Sequence, residues 1–75
     1  MKVLEVNFPT EVLKVGKAIR VTCERISFES DCIIIHSHEF ELTAVYFDKE
    51  LDDLVQSSIT IEDAIGHDCC IEILN

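Results

Sequence analysis

The residues best able to do chemistry in this chain are its histidines and two of its cysteines, which fall into two groups. His36 and His38 lie two residues apart, and His67 comes shortly before Cys69 and Cys70. Zinc is held in proteins by four such ligands in a tetrahedron, so these five residues form a candidate metal site. A small zinc-binding protein is therefore the alternative function. However, the chain has no Cys-x-x-Cys pair. Residues two apart on a strand are also roughly 6.5 Å apart, which is unfavourable for chelation. We expect no bound metal or other cofactor.

The cysteine pattern predicts free thiols. The first residues show no secretion signal, so we expect a cytoplasmic protein in a reducing compartment. Cys23 shares strand parity with Ile19 and Val21, which predicts a buried side chain. Cys69 and Cys70 are adjacent and must point to opposite faces of a strand, so one is expected to be buried and the other exposed.

Nothing in the sequence assembles a catalytic site. Glycine occurs only at Gly16 and Gly66, which excludes a glycine-rich phosphate loop. The adjacent acids Asp52 and Asp53 do not share a face on a helix or a strand, so they do not form a general acid and base pair. No pattern places a Cys or Ser nucleophile beside a histidine and an orienting third group. The sequence predicts a protein that is not an enzyme.

The negative charge is concentrated in the second half of the chain. The net charge is −9, yet residues 1–38 carry equal numbers of acids and bases, whereas residues 39–75 carry ten acids and only Lys49 as a base. Such a surface repels phosphate backbones and anionic membranes, so we expect no direct contact with nucleic acid or membrane. It attracts a basic protein partner, although a solvated surface that maintains solubility is the alternative. The predicted partner-binding residues are Glu39, Glu41, Asp48, Glu50, Asp52 and Asp53.

The hydropathy pattern predicts one small, mainly β domain that spans residues 1–75. The clearest strand pattern is in residues 17–25, where Ile19, Val21 and Cys23 alternate with polar residues. A turn is expected near residues 29–31. Further strands are predicted at residues 2–8, at residues 32–35, up to Phe47, and in a terminal hairpin made of residues 58–63 and 69–74.

Two segments fit more than one structure. Residues 39–56 match both helical spacing and strand alternation, and we predict a strand to about Phe47 followed by a short helix near residues 48–56 with Asp48 as its cap. Residues 10–15 fit a single helical turn or a loop. The fold class that results is all-β or β-rich α+β. We expect a small antiparallel barrel or roll of about five to six strands with one short helix.

The segment LKVGKAIRV, residues 13–21, resembles the loop-then-strand segment common in small SH3-like barrels. That resemblance implies a fold and carries no function. Residues 32–35, 44–47 and 69–71 are apolar on both strand faces, which is more apolar surface than one short helix can cover. We therefore predict self-association, most simply as a homo-oligomer, in an assembly or protein-interaction module.

Overall fold

A computed structural model describes residues 7–74, which form one antiparallel sheet and one short helix. This architecture confirms the predicted mainly β fold class. The strands are β1 (Ala18–Cys23), β2 (Phe28–Ser37), β3 (Glu41–Asp48), β4 (Asp53–Thr60) and β5 (Cys69–Ile73), and the helix α1 is Ile61–Gly66. The strand order across the sheet is β4-β3-β2-β1-β5.

The strand pattern predicted for residues 17–25 is confirmed in β1. Ile19, Val21 and Cys23 are each at most 4% exposed, and the alternate residues Arg20 and Thr22 face the other side. β1 is hydrogen-bonded to β2 on one side and to β5 on the other, so it crosses the middle of the better buried half of the sheet. The alternation of buried and less buried side chains along β1 is therefore that of a strand with one buried face.

The inner face of the sheet forms the core together with residues that cover it. Phe8 and Leu13, which precede β1, and Ala64 of α1 are each at most 2% exposed. The Phe8 N–H donates to the Glu39 carbonyl over 2.7 Å and ties this preceding segment to the β2–β3 loop. The other buried hydrophobic residues are Ile19, Val21, Cys23, Cys32, Ile34, Leu42, Ala44, Cys69 and Ile71.

The predicted position of the helix is wrong. Residues 48–56 form the turn of a β3–β4 hairpin and the first half of β4. The carboxylate of Asp48 does not cap a helix. It accepts hydrogen bonds from the N–H groups of Glu50 and Leu51, over 2.9 and 3.2 Å, and closes the turn. The helical spacing was misleading because Leu51 and Leu54, each 67% exposed, do not form a buried stripe.

The helix forms instead at Ile61–Gly66, where a local capping signal is present. Thr60 is the N-cap, and its hydroxyl accepts a hydrogen bond from the Asp63 N–H over 3.1 Å. Glu62 and Asp63 in the first turn also favour the positive end of the helix dipole. The helix buries Ala64 and separates β4 from β5. The predicted terminal hairpin of residues 58–63 and 69–74 is therefore wrong, and β5 pairs with β1.

Three smaller predictions concern the turn near residues 29–31, residues 10–15 and the strand at residues 2–8. The turn expected near residues 29–31 lies earlier, in a 3-10 turn at Glu24–Ile26 followed by Ser27 with φ of 52°, so residues 29–31 belong to β2. Residues 10–15 form a turn in which the Val12 and Leu13 N–H groups donate to the Pro9 carbonyl. The strand predicted at residues 2–8 lies outside the described residues except for its last two.

Candidate interaction surface

The predicted metal ligands do not come together. His36 is exposed near the end of β2, and His38 is exposed in the following loop, where its Nδ1 accepts a hydrogen bond from the Phe40 N–H. His67 ends α1, and Cys70 lies on the opposite face of β5 from Cys69. Among residues 7–74, no three His, Cys, Asp or Glu side chains are grouped to hold a metal ion.

The prediction of four free thiols is wrong for two of the cysteines. Cys23 and Cys69 lie directly opposite each other on β1 and β5 and form a disulfide. Strand pairing brings their Cα atoms within 4.1 Å, which the sequence alone did not reveal because the predicted terminal hairpin kept β5 away from β1. Cys69 is thus unavailable as a thiolate ligand. Its burial and the exposure of Cys70 agree with the predicted opposite orientations.

The remaining buried thiol is that of Cys32. It lies on the inner face of β2, and burial raises the pKa of the Cys32 thiol. A raised pKa lowers the thiolate fraction, so this side chain is a poor nucleophile. Cys32 therefore acts as a small apolar residue of the core.

The inner face of the sheet borders a cavity of about 290 Å³. Its floor is made of core residues such as Ile19, Val21 and Leu42 together with the disulfide, and Ser57, Asp63 and His67 lie among its lining residues. His67 donates its backbone N–H to the Asp63 carbonyl, over 2.9 Å, which is a helix-end contact. In the described part of the chain, the hydrogen bonds join no histidine ring to a serine or cysteine side chain. The cavity therefore does not present an assembled nucleophile.

The six predicted partner-binding acids lie at the two ends of the β3–β4 hairpin. Asp48, Glu50, Asp52 and Asp53 lie in or beside its turn. Glu39 precedes β3 and Glu41 begins it, at the other end, where Glu62 and Asp63 of α1 also lie. The β3–β4 ladder runs without a shift from Glu41 opposite Thr60 to Asp48 opposite Asp53. The two acidic groups are thus about 23 Å apart along the strand.

The turn of this hairpin is held by its own acidic residues. Asp48 bonds two backbone N–H groups, and Asp53 Oδ1 accepts from the Leu54 N–H over 2.8 Å. Asp52 adopts a left-handed backbone with φ of 54°, which aspartate tolerates better than most residues. Glu50 and Glu41 have exposed side chains without such a structural role in the described hydrogen bonds. Those two residues are the cleanest sites for testing charge.

Ion pairs are found away from the hairpin. Within residues 7–74, the ion pairs are Arg20 with Asp31, Arg20 with Glu72, and Arg25 with Asp68. The hydrogen bond and charge of Asp31 raise the pKa of Arg20. All three pairs join β1 or the turn after it to β2, β5 or the loop before β5. None of these ion pairs includes an acid of the hairpin, whose nearest base in the sequence is Lys49 in its turn.

The outer face of the sheet carries exposed apolar side chains next to these acids. Ile33 and Ile35 of β2, Phe47 of β3 and Leu54 of β4 are between 41% and 67% exposed. Ile33 lies opposite Val45, and Phe47 lies opposite Leu54, so the side chains run across three strands. We call Ile33, Ile35, Val45, Phe47 and Leu54 the outer apolar patch. Apolar runs on both strand faces predicted this exposure for β2 and β3. Leu54 was missed because it was assigned to a helix.

Comparison with protein-family models, with curated proteins and with solved structures finds no match to this chain. Among the described residues, no helix is both long and apolar enough to cross a bilayer. We therefore infer a function from the surface of the molecule alone.

Proposed function

We propose that this chain is a non-enzymatic protein-interaction module that presents its β3–β4 hairpin to a basic protein partner. The observation that carries the proposal is the set of hairpin acids that form no ion pair in the described part of the chain, in contrast to the paired acids beside Arg20 and Arg25. Lys49 is the only base in the second half of the chain. A basic partner supplies the missing counter-charges and is steered by the field.

The module also self-associates through the outer apolar patch. Contiguous exposed apolar side chains mark association surfaces, and a two-fold dimer is the commonest closed assembly. What supports a second copy on this patch is its position. Ile33 and Ile35 come from the first half of the chain, which carries equal numbers of acids and bases, so this end of the patch adds no net negative charge to a dimer interface.

Partner binding is tested by using three forms of the protein as baits in a cell extract. The wild type is compared with Glu41→Lys/Glu50→Lys, which reverses one charge at each end of the hairpin. The matched control is Glu11→Lys/Glu24→Lys, which makes the same change in net charge at two exposed positions outside the hairpin. We expect basic proteins to be captured by the wild type and the control and lost with the hairpin variant. An identical set on all three baits would overturn the proposal.

Self-association is tested by native mass spectrometry of the untagged protein. We expect a metal-free dimer from the wild type, a monomer from Ile35→Glu, and a dimer from the control Val15→Glu. Val15 is 64% exposed and lies outside the sheet, so the control adds the same charge away from the patch. A monomeric wild type at micromolar concentration would refute self-association. A stoichiometric metal adduct would favour the alternative metal-binding function.

A further inference from the structure

Among residues 7–74, no strand pairs with the outer edge of β4. β4 is the terminal strand of the sheet on the hairpin side, and its eight residues contain no fully buried side chain. An edge strand presents backbone N–H and C=O groups that another extended chain can pair with. Proteins that must avoid such pairing place lysine, proline or a bulge on the edge. Residues 54–60, LVQSSIT, contain no lysine or proline, and the β3–β4 register has no shift.

The direction of the backbone groups identifies which residues face this open edge. In an antiparallel pair, alternate residues direct their N–H and C=O toward the neighbouring strand. The Ile61 N–H donates to the Phe40 carbonyl over 2.9 Å and continues the β3–β4 ladder, so odd-numbered residues face β3. The Leu54 N–H agrees with this assignment, because it donates to the Asp53 side chain instead of β3. Leu54, Gln56 and Ser58 therefore face the edge.

Charge at the two ends of β4 favours one kind of occupant. The turn acids Asp48, Glu50, Asp52 and Asp53 flank the start of the strand, and Glu41, Glu62 and Asp63 flank its end. A second copy paired antiparallel along this edge would bring the turn acids of each molecule near the helix acids of the other. Like charges brought together are destabilising. An extended peptide with basic residues at both ends meets both acidic groups with opposite charge.

We infer that the β4 edge binds an extended basic peptide segment of a partner protein by strand addition. The inference rests on the proposed function and names the form in which its basic partner is recognised. Main-chain hydrogen bonds from the peptide to Leu54, Gln56 and Ser58 supply the sequence-independent part of the binding. The segment is about eight residues long because the strand between the two acidic groups spans about 23 Å. Its terminal Lys or Arg side chains select it over neutral segments.

The test is an amide NMR titration of the full, isotopically labelled chain with synthetic peptides of three kinds, four peptides in all. The first is Lys-Arg-Val-Thr-Val-Thr-Lys-Arg. The second is the same peptide methylated at alternate backbone nitrogens, in two versions that together cover both edges of the strand. The third replaces its four basic residues with Gln. We expect the first peptide to shift the Leu54, Gln56 and Ser58 amides and to slow their hydrogen exchange. We expect methylation on the pairing edge, or loss of the basic residues, to weaken binding at least tenfold.

A variant of the protein, in place of a modified peptide, also tests strand addition at the β4 edge. Gln56→Pro removes an N–H that faces the edge and not β3, so the β3–β4 ladder is kept. The control Gln56→Val keeps the N–H and removes the side-chain amide. We expect at least a tenfold loss of affinity for the first peptide with Gln56→Pro and little change with Gln56→Val. Because the methylated peptides use the wild-type protein, the test remains decisive if Gln56→Pro fails to fold.

Three outcomes overturn the inference that the β4 edge binds a basic peptide by strand addition. Equal binding of the unmethylated peptide and both methylated versions would mean that charge alone holds the partner, and the proposed function would then survive without strand addition. Equal binding of the Gln peptide would remove the role of the acidic ends. Concentration-dependent protection of the Leu54, Gln56 and Ser58 amides in peptide-free protein would show that a second copy occupies the edge. Loss of the proposed function itself is recognised separately, by identical capture on the three baits.

Discussion

The two halves of the sheet differ in how they are held. β1, β2 and β5, with the turn after β1 and the loop before β5, share a buried face, a disulfide and three ion pairs, whereas β4 contributes no fully buried residue and the acids around it form no ion pair among the described residues. The first half is stabilised by its own contacts. In the hairpin, neither the acids nor the outer edge of β4 is paired with another described residue through an ion pair or a strand. The contacts that stabilise the sheet and the surface that we propose to bind a partner therefore lie on different strands.

Removal of the disulfide is expected to have the largest effect on stability. The bond between Cys23 and Cys69 closes a loop with a sequence separation of 46 residues. On a chain-entropy model, Cys23→Ser/Cys69→Ser lowers the free energy of unfolding by about 4 kcal/mol. Urea unfolding of the oxidised wild type and the double variant measures this difference. The control Cys70→Ser, at an exposed thiol, should leave the transition in place.

The disulfide itself is checked by alkylation and mass spectrometry. Without reductant, native protein should take up one iodoacetamide label, at Cys70, because Cys32 is buried and the other two sulfurs are bonded. Reduced and unfolded protein should take up four. Rapid labelling of four cysteines in the native, unreduced protein would contradict the disulfide between Cys23 and Cys69.

Truncating one apolar side chain in each half gives the next largest difference. Ile34 is fully buried in β2, so Ile34→Ala lowers the free energy of unfolding by about 3 kcal/mol. Leu54 is 67% exposed on β4, and Leu54→Ala changes it by less than about 0.5 kcal/mol. Both values come from urea unfolding of the untagged variants. Similar losses at the two positions would show that the hairpin is as tightly packed as the rest of the sheet.

Neutralising one acid in each half gives the smallest change in stability, and the two changes have opposite signs. Asp31 pairs with Arg20 over 2.8 Å, so Asp31→Asn slightly lowers stability. Glu50 lies among other acids, so Glu50→Gln slightly raises it. Each change is within about 0.5 kcal/mol at low salt, because exposed charges interact weakly, and added salt reduces both. Thermal melts at two salt concentrations measure them. A loss of stability for Glu50→Gln would indicate a counter-charge at the turn.

The sequence predicted the parts of the fold that depend on local alternation. The buried face of β1 and the opposite orientations of Cys69 and Cys70 followed from strand parity alone. The pairing of β5 with β1 did not, because it joins residues far apart in the chain, and the disulfide was missed with it. The start of α1 had a readable signal in Thr60 and Asp63, a capping pattern that the alternation of Ile59 and Ile61 obscured.

The candidate site was predicted in composition but not in arrangement. The acids of residues 39–53 were expected to form one surface, part of it on a helix. In the structure they occupy the two ends of a hairpin, because residues 48–52 turn the chain back and β4 extends along β3. A helix and a strand place the same acids differently, and the three apolar residues Leu51, Leu54 and Val55 are too few to distinguish the two. The open edge of β4 became visible only with the sheet order.

The most direct test of the difference between the two halves is native-state hydrogen exchange of the peptide-free, untagged protein, followed amide by amide. We expect strong protection in β1 and rapid exchange at the Gln56 and Ser58 amides, which face the outer edge of β4. The odd-numbered β4 residues Val55, Ser57 and Ile59, bonded to β3, should exchange more slowly than these two. Protection of Gln56 and Ser58 equal to that in β1, at every protein concentration tested, would show that the outer edge of β4 is already covered. That result would contradict the proposed difference between the two halves of the sheet.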